Sequence, residues 1–379
     1  MKNQKRNSND NGAWSDWKTD ENSKVQGEYT MSGGEREDGT GPYDPVSKRL
    51  VKPVFQRIIK GKPEVAMAEI WKGIRLFCDH GFYQLSEDDG LSWGKAYMLK
   101  YEDGPDFDTN NWGEETFFRT NEMYIGNAVV LQNGNVIITA TIPVPFMDEE
   151  DKNMPSIFPN NYREGCVAGA ICFIGQWNES INNYKWKPSS PISVPRRIST
   201  RGLNELHISE LKNGKLLMII RGSNAGLDSV KHPGRRWYSV SEDGGSNWSE
   251  VKDMRFDTGE SFYSPAAISS TIRSSINGKL YWIGNISKDP VDGNSPRYPL
   301  LIVEVDEEKI SFKKQTSVII DDRDPKNDSE FLQLSNFSIF ENRETKEIEI
   351  YLLRLGENGG GADIWTAGAY KYTLSLNSV

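Results

Sequence analysis

From Val51 onward the chain repeats one pattern: a short apolar segment, a cluster of Gly, Asn, Asp, Pro or Lys, then another apolar segment. Val54-Phe55 runs into Arg57-Ile58-Ile59 and stops at Lys60-Gly61-Lys62-Pro63; residues 65–71, a Lys72-Gly73 turn, 74–78 and 82–85 follow. Segments 128–131 and 136–141 flank Asn133-Gly134, and 266–272 and 279–283 flank Asn277-Gly278. Segments 167–174, 300–305, 337–340, 348–355 and 367–374 complete the series. Short apolar runs bounded by turn residues read as strands. No long stretch carries the period of an amphipathic helix. The pattern predicts an all-β repeat architecture, either a sandwich or a propeller.

The clearest hairpin is 201–222, RGLNELHISELKNGKLLMIIRG. Leu206 and Ile208 alternate with polar positions, 216–220 is a continuous apolar run, and Asn213-Gly214 marks the turn. Antiparallel pairing brings the start of the first strand beside the end of the second. Glu205 and Arg221 hold those ends, so a carboxylate and a guanidinium are predicted to meet there. A rim salt bridge, which contributes little, would satisfy the same pattern. His207 lies two residues beyond Glu205 and is predicted on the same strand face.

Two segments, 86–93 (SEDDGLSW) and 241–248 (SEDGGSNW), both read S-x-D-x-G-x-x-W. Ser and Asp side chains bond turn backbone groups, Gly takes the conformation other residues resist, and Trp packs back on the strands. This pattern resembles the Asp-box, the repeat of sialidase-like β-propellers, with a degenerate third copy near Gln176-Trp177 to Trp186. The hairpin from Asn204 to Arg221 is similar to the exo-sialidase segment carrying a catalytic Glu and the second Arg of a triad. The resemblance covers most of the chain from Val51 onward. It implies a six-bladed propeller over residues 46–379, behind a flexible polar segment of 1–45.

Further implications follow from the resemblance residue by residue. Three guanidiniums, Arg57, Arg221 and Arg297, would clamp a sugar carboxylate, since Arg forms planar, permanently charged, bidentate pairs. Glu205 would activate a tyrosine nucleophile and Asp79 would act as general acid/base, a known departure from the two-carboxylate pattern of glycosidases. Arg57 sits in Gln56-Arg57-Ile58-Ile59, similar to an R-I-P motif with Ile59 in place of Pro. Where the family has its late tyrosine, the match falls on Phe337, which has no hydroxyl. Tyr263 or Tyr298 are the alternative hydroxyls, with Tyr298 placed to touch substrate. His80 and His207 are candidate bases for an uronate-directed lyase or hydrolase. A third reading is a glycan-binding propeller that keeps the clamp without turnover. Trp112, Tyr124, Phe146 and Trp237 are candidate sugar-stacking walls, and the polar insert 143–164 is long enough to build or cover a site.

Composition narrows the partners. Lys+Arg 45 against Asp+Glu 54 gives a net charge of −9, which argues against nucleic acid but leaves room for an acidic glycan at a local basic cluster. Three cysteines (Cys78, Cys166, Cys172) and three histidines are too few for a disulfide framework or a zinc site, so neither metal nor cofactor is expected. No apolar run approaches the ~20 residues of a membrane span. The N-terminus lacks a secretory apolar region, so the expected location is cytoplasmic, or exported if a leader has been removed. Oligomeric state is not legible in the sequence.

Overall fold

The computed structural model describes residues 4–5, 18–19, 24–34, 41–70, 74–110, 112–154 and 163–376. Among these, five antiparallel sheets follow one another along the chain as propeller blades, where the resemblance implies six. Sheet one joins Lys24–Gln26, Tyr29–Gly34, Arg49–Lys60, Phe77–Ser86 and Tyr97–Met98, with Tyr43–Asp44 on the side of Arg49–Lys60. Sheet two runs Tyr124–Val130, Val136–Pro145, Cys166–Asn178, Asn183–Pro188. Sheet three runs Asn204–Glu210, Leu216–Arg221, Arg236–Ser241, Lys252–Asp253. Sheet four holds Ser270–Arg273, Leu280–Asn285, Leu300–Asp306, Ser311–Phe312 and Val318–Asp321; sheet five holds Gln333–Glu341, Ile348–Leu355 and Ala369–Leu374.

The continuous apolar run at 216–220 is explained by burial on both strand faces. Leu216, Met218 and Ile220 pack toward sheet two with Ile137, Ala170 and Cys172. Leu217 and Ile219, pointing the other way, pack toward sheet four with Leu280, Trp282 and Val303. The same division repeats in sheet four, where Leu301 and Val303 face sheet three and Leu300 and Ile302 face Ile348 and Ile350 of sheet five. Period-two side chains thus feed two inter-blade cores at once. Burying such residues stabilises by about 1.5–3 kcal/mol each.

Several sequence expectations are corrected here. Residues 65–71 were expected as a strand, but Pro63–Ile70 is a helix: Pro63 begins it and Ala-Met-Ala favours it. Segments 74–78 and 82–85 form one strand, Phe77–Ser86, zipped to Arg49–Lys60 over ten residue pairs. Asp79 and His80, expected in a loop, therefore lie within a ladder. The lead-in expected over 1–45 is in part sheet: Tyr29–Gly34 pairs with Arg49–Lys60, and Tyr29 and Met31 are buried against Trp112, Phe117 and Phe118. Trp112 thereby belongs to the core and lines no sugar site.

The two S-x-D-x-G-x-x-W segments fold alike, each between the last two main strands of its sheet. Ser86 Oγ donates to Asp88 (2.8 Å) and accepts from Gly90 N (2.8 Å), while Asp88 accepts from Ser92 N (2.8 Å). Ser241, Asp243, Gly245 and Asn247 repeat these bonds at 2.9 Å each. Gly90 and Gly245 hold φ of 87° and 96°, which a side chain would strain. Because Ser241 is buried, Ser241→Ala leaves the Gly245 N–H without its acceptor. The expected loss is about 1–3 kcal/mol, read as a lower urea midpoint at unchanged m-value.

Candidate functional site

The 201–222 hairpin places its two charged ends as its pattern predicts: Glu205 Oε1 lies 2.6 Å from Arg221 Nη1. The strand does not reach that position by simple alternation. Register shifts between Asn204 and His207, and Glu205 holds a φ of 46°. A left-handed backbone is uncommon for a residue with a Cβ and costs of order 1–3 kcal/mol. His207 therefore does not share a simple face with Glu205; its Nδ1 lies 3.3 Å from Asn127 Nδ2 on the first strand of sheet two.

The ladder then sets Arg236 directly opposite Arg221. Like charges in cross-strand register repel, yet Arg236 is fully buried. Its Nη1 and Nη2 each donate to Ala267 O at 3.0 Å, Nη2 also reaches Ser264 Oγ at 3.1 Å, and the guanidinium lies 5.7 Å from the Trp282 ring. Arg297, just before Leu300–Asp306, donates to Gln333 Oε1 and Ala266 O, both at 2.8 Å. Every hydrogen-bond acceptor of Arg236 and Arg297 among the described residues is neutral.

Burial lowers both guanidiniums, Arg236 to about 9 and Arg297 to about 10, and repulsion from Arg221 adds to the shift in each; Glu205 opposes it. Arg297 also acts repulsively on Arg236. Among the described residues Glu205 is the one carboxylate acting on Arg236 and Arg297, and it pairs with Arg221. Among the described residues the Nε–H of Arg221, of Arg236 and of Arg297 is buried without a hydrogen-bond partner. Such a site favours an anion, because an arriving carboxylate answers the surplus charge.

Arg57 belongs to sheet one. It lies near the end of Arg49–Lys60 opposite Asp79, and the two side chains pair bidentately, Nε to Oδ1 and Nη2 to Oδ2, both at 2.7 Å. The groups acting on Arg57 are Asp79 and Tyr124, and Arg57 is not among the charges acting on Arg236 or Arg297. Asp79 is buried. His80, beside it, has no exposure and stacks on Phe117 at 4.4 Å between ring centroids. That position corrects the expectation of His80 as a base open to substrate. Nearby, Arg75 pairs with Glu122 and Arg163 with Glu102.

Tyr263 lies under the guanidinium of Arg235, 5.4 Å from its ring, and Tyr298 packs against the core between sheets four and five. Phe337 packs on that same core, four residues into its strand. Beside Arg297 the strand instead presents Gln333 and Ser335 (3.4 Å from Nη1). Trp237 packs between sheets two and three, Phe146 sits 5.1 Å below Arg196, and Tyr124 is 36% exposed. Residues 155–162 of the 143–164 insert lie outside the described residues; its helix Glu149–Asn153 is anchored, with Arg196 N bonding Asp151 Oδ1 at 2.7 Å and Arg197 pairing with Asp148 at 2.8 Å.

Sequence reading missed Arg236, Gln333 and Ser335. Arg236 was within reach: antiparallel pairing that sets Ser241 opposite Leu216 brings Arg236 opposite Arg221. Among the described residues no group of three or more His, Cys, Asp and Glu converges as a metal would require, and no helix is long and apolar enough to cross a membrane.

No family model and no curated protein matches the chain. Among solved structures, a protein of unknown function from Dyadobacter fermentans aligns with a TM-score of 0.53 at 14% identity, over 86% of this chain and 74% of that one. A Hadza microbial sialidase aligns with a TM-score of 0.52 at 12% identity, over 97% of this chain and 58% of that one. The fold is a sialidase-like β-propeller. NanB sialidase from Streptococcus pneumoniae aligns at 18% identity and a TM-score of 0.46 over 74% of this chain; the match spans 34% of that enzyme's length.

One pH dependence follows. Burial pushes the His80 imidazole down from 6.5 to about 4, against smaller opposing effects of Asp79 and the Asn121 backbone. The unfolded chain therefore binds the proton first as pH falls, so the contribution is complete above pH 6.5 and is lost on going down through 4. The expected loss is roughly 3 kcal/mol. Urea midpoints measured across this range should slope downward with acid, and His80→Gln should flatten that slope.

Proposed function

We propose that this protein is a glycoside hydrolase of the sialidase-like type, acting on a terminal sugar that carries a carboxylate. The supporting observation is the surplus of buried positive charge: among the described residues Arg236 and Arg297 bond only neutral acceptors, and Glu205 is the one carboxylate acting on them. Arg221 and Arg297 would take the sugar carboxylate, with Arg236, fully enclosed, adding field without contact. Glu205 would serve as the acid–base group beside the reacting carbon, activating a nucleophile or a water. Asp79, held by Arg57, would be a proton donor only after exchanging that partner. A His base for a lyase has less support, since His80 is enclosed and His207 is engaged with Asn127.

Gln333 and Ser335 favour a second reading. They stand beside Arg297 without a phenol, and the tyrosine position of the resemblance falls on Phe337, so the site would bind the acidic sugar without turning it over.

A fluorogenic sialoside and calorimetry with free N-acetylneuraminic acid separate the two. On the first reading the native protein releases dye, and Glu205→Gln lowers the rate by about 100-fold or more. On either reading Arg297→Ala weakens sugar binding roughly 10- to 100-fold, the loss of a charge-assisted contact of about 1.5–3 kcal/mol. Binding without dye release favours the second reading. Absence of binding to sialic and uronic acids alike rejects both.

A further inference from the structure

Asn285 ends the strand Leu280–Asn285 and has no exposure. Its carboxamide nitrogen lies 3.1 Å from Arg297 O, 3.0 Å from Pro299 O and 3.1 Å from Leu334 O. All three neighbours are carbonyl oxygens, so only the donor end of the amide suits this position. The other end, Oδ1, is buried without a partner. What the side chain contributes there is its two N–H groups.

Those carbonyls belong to both parts of the Arg297 setting. Two lie on the segment that carries Arg297 itself. The third lies on sheet five between Gln333 and Ser335, the residues that receive Arg297 Nη1. The backbone is tied in the same place, with Leu334 N donating to Arg297 O at 2.9 Å. Asn285 also reaches the neighbouring arginine through its main chain: its carbonyl accepts from Ser264 Oγ at 2.9 Å, and Ser264 Oγ accepts from Arg236. One buried residue therefore holds the base of Arg297 and the strand that orients its guanidinium.

We infer that Asn285 is a positioning residue for the anion site, setting Arg297 toward the ligand carboxylate without touching the ligand. The inference rests on the carboxylate-binding reading above. Loss of the donors frees the Arg297 segment from sheet five. The effect must then pass through Arg297 and leave the Glu205–Arg221 pair in place.

The test is a double-mutant cycle read by calorimetry with N-acetylneuraminic acid. Asn285→Ala is expected to weaken binding about tenfold in the native background and also with Arg221→Ala, but less than about twofold once Arg297→Ala is present. A general structural role would weaken all backgrounds alike, and that result overturns the inference. Asn285→Ser, which keeps one donor, should fall between the native protein and Asn285→Ala; it replaces Asn285→Ala if that variant fails to fold. Failure of both to fold, with Arg297→Ala folded, also overturns it. If Arg297→Ala weakens binding and neither Asn285 variant does, this inference alone falls. If the native protein does not bind the probe, or Arg297→Ala leaves binding unchanged, the carboxylate-binding reading falls and takes this one with it.

Discussion

The site depends on guanidinium groups being buried against neutral oxygens in place of carboxylates. Taking a cation from water is costly unless its hydrogen bonds are replaced and its charge is answered. In this protein the first condition is largely met and the second is not. The turn at residues 264–267 turns carbonyls and a hydroxyl toward Arg236 and Arg297, and Asn285 braces that turn against sheet five. Charge is left over, and this residual field is what an acidic ligand would meet.

The same ladder geometry gives the opposite result in sheet one. Arg57 and Asp79 are cross-strand partners in sheet one, as Arg221 and Arg236 are in sheet three. In the first pair the second strand brings a carboxylate; in the second it brings another guanidinium. Around Arg57 the neighbouring charges also come in pairs, Arg75 with Glu122 and Arg163 with Glu102. That region is balanced and reads as structural support. Around Arg221 the three cations meet one acid. The residue type set opposite an arginine across the ladder separates an internal brace from a place that calls for an anion.

The blades were legible because their apolar runs are short and punctuated by Asn-Gly and Asp-Gly turns, and because strands buried on both faces lose their alternation in a recognisable way, as at 216–220. The Glu205–Arg221 contact was legible for the same reason: a hairpin fixes which ends meet. Contacts between sheets were not. Whether Arg57 or Arg236 joins Arg297 depends on how blades are set against one another, and hydrophobic patterning carries no information on that. The helix at Pro63–Ile70 was misread because a short apolar run has no period long enough to tell helix from strand. The approach of Gln333 and Ser335 to Arg297 was not legible, because the irregular pairing between Gln333 and Asn336 leaves no mark in the sequence pattern.

Glu205 joins these threads. Its left-handed backbone and the register shift beside it turn the carboxylate onto Arg221 where plain alternation would not direct it. The residue is therefore both the counter-ion of the cluster and, on the proposed reading, its acid–base group. A ligand carboxylate drawn to Arg221 and Arg297 would therefore arrive beside Glu205, so the residue that limits the positive charge of the cluster would also stand next to any sugar the cluster binds.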